Sequence, residues 1–135
     1  MKSQTGRAKA LRESYFQRKL ITRLKQAGYL CFALSDSFTS GIPDVYCAKD
    51  GKSHWYELKV VHQATGPINL ESSTKNYGFT KAQKIKLYAL RQAGIDAWGI
   101  VHLAAHNTTV MVAPEQIGIV TTIEDLLKLP KFIIE

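Results

Sequence analysis

Gly41-Ile42-Pro43-Asp44-Val45-Tyr46-Cys47-Ala48-Lys49-Asp50-Gly51-Lys52-Ser53-His54-Trp55-Tyr56-Glu57-Leu58-Lys59-Val60-Val61 is the stretch on which the fold turns. Pro43 has no N–H for a central ladder, so it closes a turn-rich loop from Ser35. Asp44 to Ala48 reads as a strand. Lys49-Asp50-Gly51-Lys52 carries the Asp-Gly signal of a tight hairpin, and Ser53 to Val61 is the returning strand. Strand alternation puts Trp55, Glu57, Lys59 and Val61 on one face and His54, Tyr56, Leu58 and Val60 on the other. Asp44, near the start of its strand, can lie beside the end of the returning one. Two carboxylates and one ammonium then converge at one end of a sheet.

Upstream, Ala8 to Ala27 has helical periodicity, with Leu11, Tyr15, Leu20, Leu24 and Ala27 near one face and Gly28 placed to end it. Tyr29 to Leu34 is a short strand. Downstream, Gln63 to Phe79 reads as a long loop, of the kind that is functional or mobile. Thr80 opens a helix with Gln83 completing a capping box, and Gly94 ends it. Ala97 to Leu103 and Thr109 to Val112 form a second hairpin, and Thr122 to Leu129 a last helix. The order helix, three strands, helix, two strands, helix predicts an α/β fold: a central mixed β-sheet flanked by helices.

The 135 residues suit one domain, 1–135. No apolar run approaches the roughly 18 residues of a membrane helix. Basic Met1 to Arg12 is not followed by the apolar segment of a secretory signal. A cytoplasmic protein, bacterial or phage-encoded by habit of size and charge, is the expectation. Cys31 and Cys47 fall in apolar segments without metal-ligand spacing, so they are expected to be buried free thiols rather than zinc ligands. His54 is expected on the surface, and His102 and His106 flank a hairpin rather than a carboxylate cluster. Net charge is +7, with eight basic residues and one acid between Lys2 and Lys25. Such a bias fits a polyanion, most often nucleic acid.

The Asp44–Glu57–Lys59 set has a definite chemical use. Two carboxylates, with a backbone carbonyl such as that of Leu58, are hard oxygen donors suited to Mg²⁺, for which Mn²⁺ can substitute. The metal would activate water toward a phosphodiester, and Lys59 would orient that water and offset developing charge.

Gly41-Ile42-Pro43-Asp44 followed by Glu57-Leu58-Lys59 resembles the PD-(D/E)xK nuclease superfamily, in its branch of archaeal-type Holliday-junction resolvases and stand-alone VRR nuclease domains. The resemblance covers roughly Glu13 to Gly94 and is one of pattern. It implies a restriction-endonuclease-like αβββαβ core and a Mg²⁺-dependent DNA endonuclease in recombination, repair or replication. The substrate would be a Holliday junction, a flap or other branched DNA, cut by a homodimer. It also implies that a Glu on the first helix joins the metal site and a Gln on the helix after the ExK strand points into it. Glu13 and Gln83 match by order, Glu13 lying two helical turns before Leu20. Arg7, Lys9, Arg12, Lys75, Lys81 and Lys84 are candidate contacts to the DNA backbone, which position without reading sequence. The alternatives are a catalytically silent DNA-binding module of the same fold and an interaction protein with a basic surface. Phe132-Ile133-Ile134 and Trp98 fit either a dimer interface or the core.

Overall fold

The structure is a computed structural model and describes residues 2–34, 41–71 and 77–134, with side chains from residue 14 onward. Helix α1 spans Lys2–Gln26 and helix α2 Lys81–Gln92, with a short α3 at Ile123–Leu126. The strands are β1 Leu30–Ala33, β2 Val45–Lys49, β3 Lys52–Val61, β4 Asp96–Leu103 and β5 Thr108–Val112. They form one sheet in the order β1-β2-β3-β4-β5. Only β3 and β4 run parallel, because α2 lies between them in the chain; every other pair is antiparallel. The mixed α/β sheet expected from the order of elements is therefore present.

Local chemistry explains the main boundaries. Asp50 and Gly51 both take positive φ, 54° and 79°, as a two-residue hairpin of this hand requires. Gly28 ends α1 with φ 96°. Thr122 caps α3 by accepting the Asp125 N–H. That helix is shorter than the predicted Thr122 to Leu129, its last residues being turns before Pro130.

Alternation along the strands builds a core on each face. On one face Leu58, Ile100, Val45 and Cys47 meet Leu20 and Leu24 of α1. On the other, Val61, Val101, Val110 and Val112 meet Leu87 of α2, Phe79 and the C-terminal Ile117, Ile123 and Leu126. Each fully buried Leu or Ile contributes about 1.5–3 kcal/mol of transfer free energy.

Two expectations, for Tyr15 and His54, are corrected here, and two others are filled in. Tyr15 is not part of the α1 stripe: it is 59% exposed, and Phe16 takes the inward place because the spacing 16, 20, 24 holds one face. Gln63 to Phe79, where it is described, has no helix or strand element, as expected of a loop, but it is pinned to the core. Ile68, Leu70 and Phe79 are buried, Ile68 N–H bonds to Thr121, and Phe79 N–H bonds to Leu70. His54 is half-buried, its Nδ1 2.5 Å from Asp96 Oδ2. Trp98 turns its indole N–H to Asp96 and its ring to Arg91, while Phe132 and Ile134 pack on the α1-side core and Ile133 is exposed. The cysteines are buried free thiols facing each other across β1 and β2, and burial pushes Cys47 up to about 12. Among the described residues no helix is long and apolar enough to cross a membrane.

Candidate active site

The β2–β3 ladder runs from the hairpin to Val45↔Tyr56. One residue further along, the chains part, and the same register sets Asp44 opposite Glu57. Asp44 uses the vacated edge: its Oδ1 accepts the Leu58 N–H at 3.0 Å. In an extended strand a residue's N–H and C=O share one edge, so the Leu58 carbonyl faces the same side as Asp44. The main chain of Asp44 is held from two directions. Its carbonyl accepts from the Leu34 N–H at 2.8 Å and from Gln17 Nε2 on α1 at 3.3 Å.

Glu57 and Lys59 are buried, at 4% and 7% exposure, a placement charged groups accept only when paired. Lys59 Nζ stands 3.6 Å from Glu57 Oε2 and 5.5 Å from the centroid of the Phe79 ring. The ring's negative face suits the ammonium, and its bulk shields it from water. Room for Phe79 comes from Gly99, which is paired with Glu57 across β3 and β4. A Cβ at Gly99 would lie 2.7 Å from the Phe79 ring.

Gln83 resolves a choice that its spacing left open, because it does both things. Its Oε1 accepts the Thr80 N–H at 2.9 Å while Thr80 Oγ1 accepts the Gln83 N–H at 3.1 Å, a full capping box. Its Nε2 donates to Glu57 Oε2 at 3.1 Å. Since the Thr80 N–H can only donate, the amide orientation that puts Nε2 on the carboxylate follows from the cap. Gln83 makes this bond from the first turn of α2, the end of a helix that carries positive partial charge. Thr80→Ala and Gln83→Ala should each cost about 1 kcal/mol of stability through the lost cap. Only Gln83→Ala should also slow any reaction carried out at this site, by about 10-fold, the effect expected where an outer hydrogen bond orients a metal-binding carboxylate. Melting curves with rate measurements check this. Equal rates for the two variants would show that the Gln83–Glu57 bond positions nothing.

Electrostatically the site holds anionic groups away from water. Burial raises Asp44 from its ordinary 3.8 to about 6, against the Leu58 N–H and Lys59, which pull it down. A desolvated carboxylate beside a second carboxylate asks for a cation. Asp44, Glu57 and the Leu58 carbonyl are an all-oxygen donor set that fits Mg²⁺ or Mn²⁺. Among the described residues no group of three His, Cys, Asp or Glu side chains clusters as a metal site, so the carboxylates here number two.

Other expected residues are placed as follows. Lys81 is exposed at the start of α2, and Lys84 Nζ pairs with Glu71 at 2.6 Å. The side chains of Arg7, Lys9, Arg12 and Glu13, the whole of Lys75, and the loop from Ser35 through residue 40 lie outside the described residues. The sequence reading did not find Gln17, Phe79 or Gly99, and it quoted Gly41 as part of the motif without seeing how closely that turn meets α2. Gln17 had one available signal, a polar residue in the same helical stripe as buried Leu20 and Leu24.

No protein-family model matches the sequence, and no curated protein matches it. Among solved structures the chain is similar to Archaeoglobus fulgidus Hjc, a Holliday junction resolvase from an archaeal hyperthermophile. The two are 13% identical and superpose with a TM-score of 0.61, over 87% of this chain and 94% of that one. At that identity the likeness is one of fold, and the mixed five-stranded sheet with flanking helices is what this chain has in common with that resolvase.

Proposed function

We propose that this protein is a metal-dependent DNA endonuclease of the PD-(D/E)xK kind, selective for branched DNA and active as a homodimer. The observation that carries the reading is the convergence of desolvated Asp44 and buried Glu57 beside Lys59 where β2 parts from β3. Asp44, Glu57 and the Leu58 carbonyl would hold Mg²⁺ or Mn²⁺, and Glu13, one helical turn before Gln17, is proposed as a further ligand. When bound, such an ion supplies Lewis acidity, polarising the phosphodiester and making water a better nucleophile.

The protein groups have separate tasks. Lys59, buried beside the Phe79 ring, would set its ammonium where negative charge grows on phosphorus and orient the attacking water. Gln83 keeps Glu57 Oε2 in one orientation. The Leu58 N–H stabilises the ionised form of Asp44. Exposed Lys81 is proposed to contact backbone phosphate, with Arg7, Lys9, Arg12, Lys75 and Lys84. Lys84 would first have to leave Glu71.

Branched-DNA selectivity and the dimer extend the same reading. The fold is that of a Holliday junction resolvase, and a four-way junction offers two symmetric cuts that a two-fold dimer matches. The test is cleavage of labelled four-way junction, flap, single-stranded and linear duplex DNA with Mg²⁺, Mn²⁺ or EDTA. Metal-dependent cutting, with paired symmetric nicks in the junction, is the expected result. No cutting of any of these DNAs in either metal, with salt-sensitive binding retained, would replace the enzyme with a silent DNA-binding module.

A further inference from the structure

The face of the sheet away from Asp44, Glu57 and Lys59 carries a cavity of about 620 Å³ between α1, the ends of β3 and β4, and the C-terminal segment. Strand alternation explains the separation: Lys59 points to the α2 face, while Val60 and His62 point to the α1 face. Val60, His102 and Thr109 are paired across β3, β4 and β5 and make the floor. On α1 the spacing 15, 19, 23 brings Tyr15, Lys19 and Arg23 onto one stripe along the rim. Phe132, Ile133 and Ile134 close the other side.

The lining has two chemical halves. One is ring-rich and apolar: exposed Tyr15 at the mouth, Phe16 stacked on His102 with centroids 4.4 Å apart, and Phe132. The other is polar, with the cations Lys19 and Arg23 four residues apart and the imidazoles of His62 and His102 beside them. No carboxylate is among the described lining residues. Lys19 Nζ lies 5.7 Å from the Tyr15 ring centroid, so charge and ring surface meet at one point. Burial is the main cause that lowers the pKa of His102, with smaller contributions from nearby His62 and Lys19.

We infer that this cavity is a nucleotide site, taking a base against the Tyr15–Phe16–Phe132 wall and its phosphate on Lys19 and Arg23. Its volume falls within the roughly 300–1,000 Å³ usual for small-molecule sites. Arg and Lys on adjacent turns offer the donors a phosphate needs, and bases stack on aromatic rings irrespective of their identity. The nucleotide is either free or the unpaired end of a DNA strand; the chemistry of recognition is the same. The site does not depend on cleavage, being on the opposite face, so it stands or falls separately from the nuclease.

Calorimetric titration in EDTA with deoxyadenosine monophosphate, deoxyadenosine and inorganic phosphate tests it. The monophosphate should bind with a Kd below about 1 mM. Each half alone should bind at least about 10-fold more weakly, as should the monophosphate to a Lys19→Glu/Arg23→Glu variant. Both substituted positions are exposed, so the variant should keep its melting curve. The imidazole resonances of His62 and His102 should shift on binding. No binding by the folded wild type, phosphate binding as tightly as the nucleotide, or undiminished binding by the double variant would overturn the assignment. A DNA hairpin with an unpaired arm, run against its blunt counterpart, separates the sources. Displacement of the armed hairpin by the monophosphate names a strand end, and monophosphate binding without displacement names a free nucleotide.

Discussion

Asp44→Asn is expected to lower metal-supported cleavage by more than about 100-fold while making the metal-free protein more stable at neutral pH. The first half follows from position. Outer partners of metal sites are worth about 10–100-fold, and Asp44 is proposed as a direct ligand. The second half follows from burial. Asparagine keeps an oxygen for the Leu58 N–H but carries no charge that must be taken out of water. In the wild type, Asp44 has a folded pKa of about 6 against an ordinary 3.8. Between those values the folded protein holds a proton that the unfolded chain has lost. The contribution of this group is therefore greatest below about pH 4 and falls as pH rises through 6. It stays lost above that, at a cost of about 2–3 kcal/mol. A melting series from about pH 4 to pH 8 in EDTA should show this fall in the wild type and not in Asp44→Asn. Mg²⁺ or Mn²⁺ should restore wild-type stability more at pH 8 than at pH 5, because a cation favours the ionised carboxylate. If Asp44→Asn cuts within about 10-fold of wild type, or gains as much stability from metal, Asp44 is not a ligand.

How much of this was readable beforehand depends on the range of the interaction. The β2–β3 hairpin is local: two positive-φ residues, Asp50 and Gly51, set a register that alternation carries to Glu57 and Lys59. The α2 cap is equally local, and Thr80 and Gln83 behave as their spacing says. The contacts that finish the site are not local. Gln17 reaches a carbonyl 27 residues away, and Gln83 a carboxylate 26 away. Both depend on how two helices seat on opposite faces of the sheet, which no periodicity encodes. The burial within the loop after β3 was not legible for a related reason. Ile68, Leu70 and Phe79 are single apolar residues among polar ones, so they show no period, yet each is buried under the C-terminal segment or α2. Tyr15 misled because a 3.6-residue repeat admits both 15 and 16 near the stripe, and only packing against the sheet chooses between them.

Gly41→Ala should damage both fold and site, far more than the same change at Gly51. Both glycines have positive φ, 84° and 79°, so both substitutions carry the strain of a side chain in that region, about 1 kcal/mol. They differ in what surrounds them. A Cβ at Gly51 would meet nothing within 4 Å, whereas one at Gly41 would fall 2.4 Å from the Ala82 carbonyl carbon and oxygen and 2.8 Å from the Gln83 nitrogen. These are backbone atoms of the first turn of α2, so no side chain can swing aside. Either the Gly41-Ile42-Pro43-Asp44 turn or the start of α2 must move. The first carries Asp44 and the second carries Gln83, so either movement opens the constellation. Overpacking of this kind adds about 1–3 kcal/mol to the shared strain. Gly41→Ala is therefore expected to lose about 2–4 kcal/mol in denaturant unfolding. Its cleavage rate per folded molecule should fall at least about 10-fold, since displacements near 1 Å have larger effects than this on positioned reactions. Gly51→Ala, at the far end of the hairpin, should lose about 1 kcal/mol and keep its rate. Equal stability losses for the two, or a full rate in folded Gly41→Ala, would mean that the turn and α2 are not held in fixed contact, and that Asp44 reaches its place by the β2–β3 register alone.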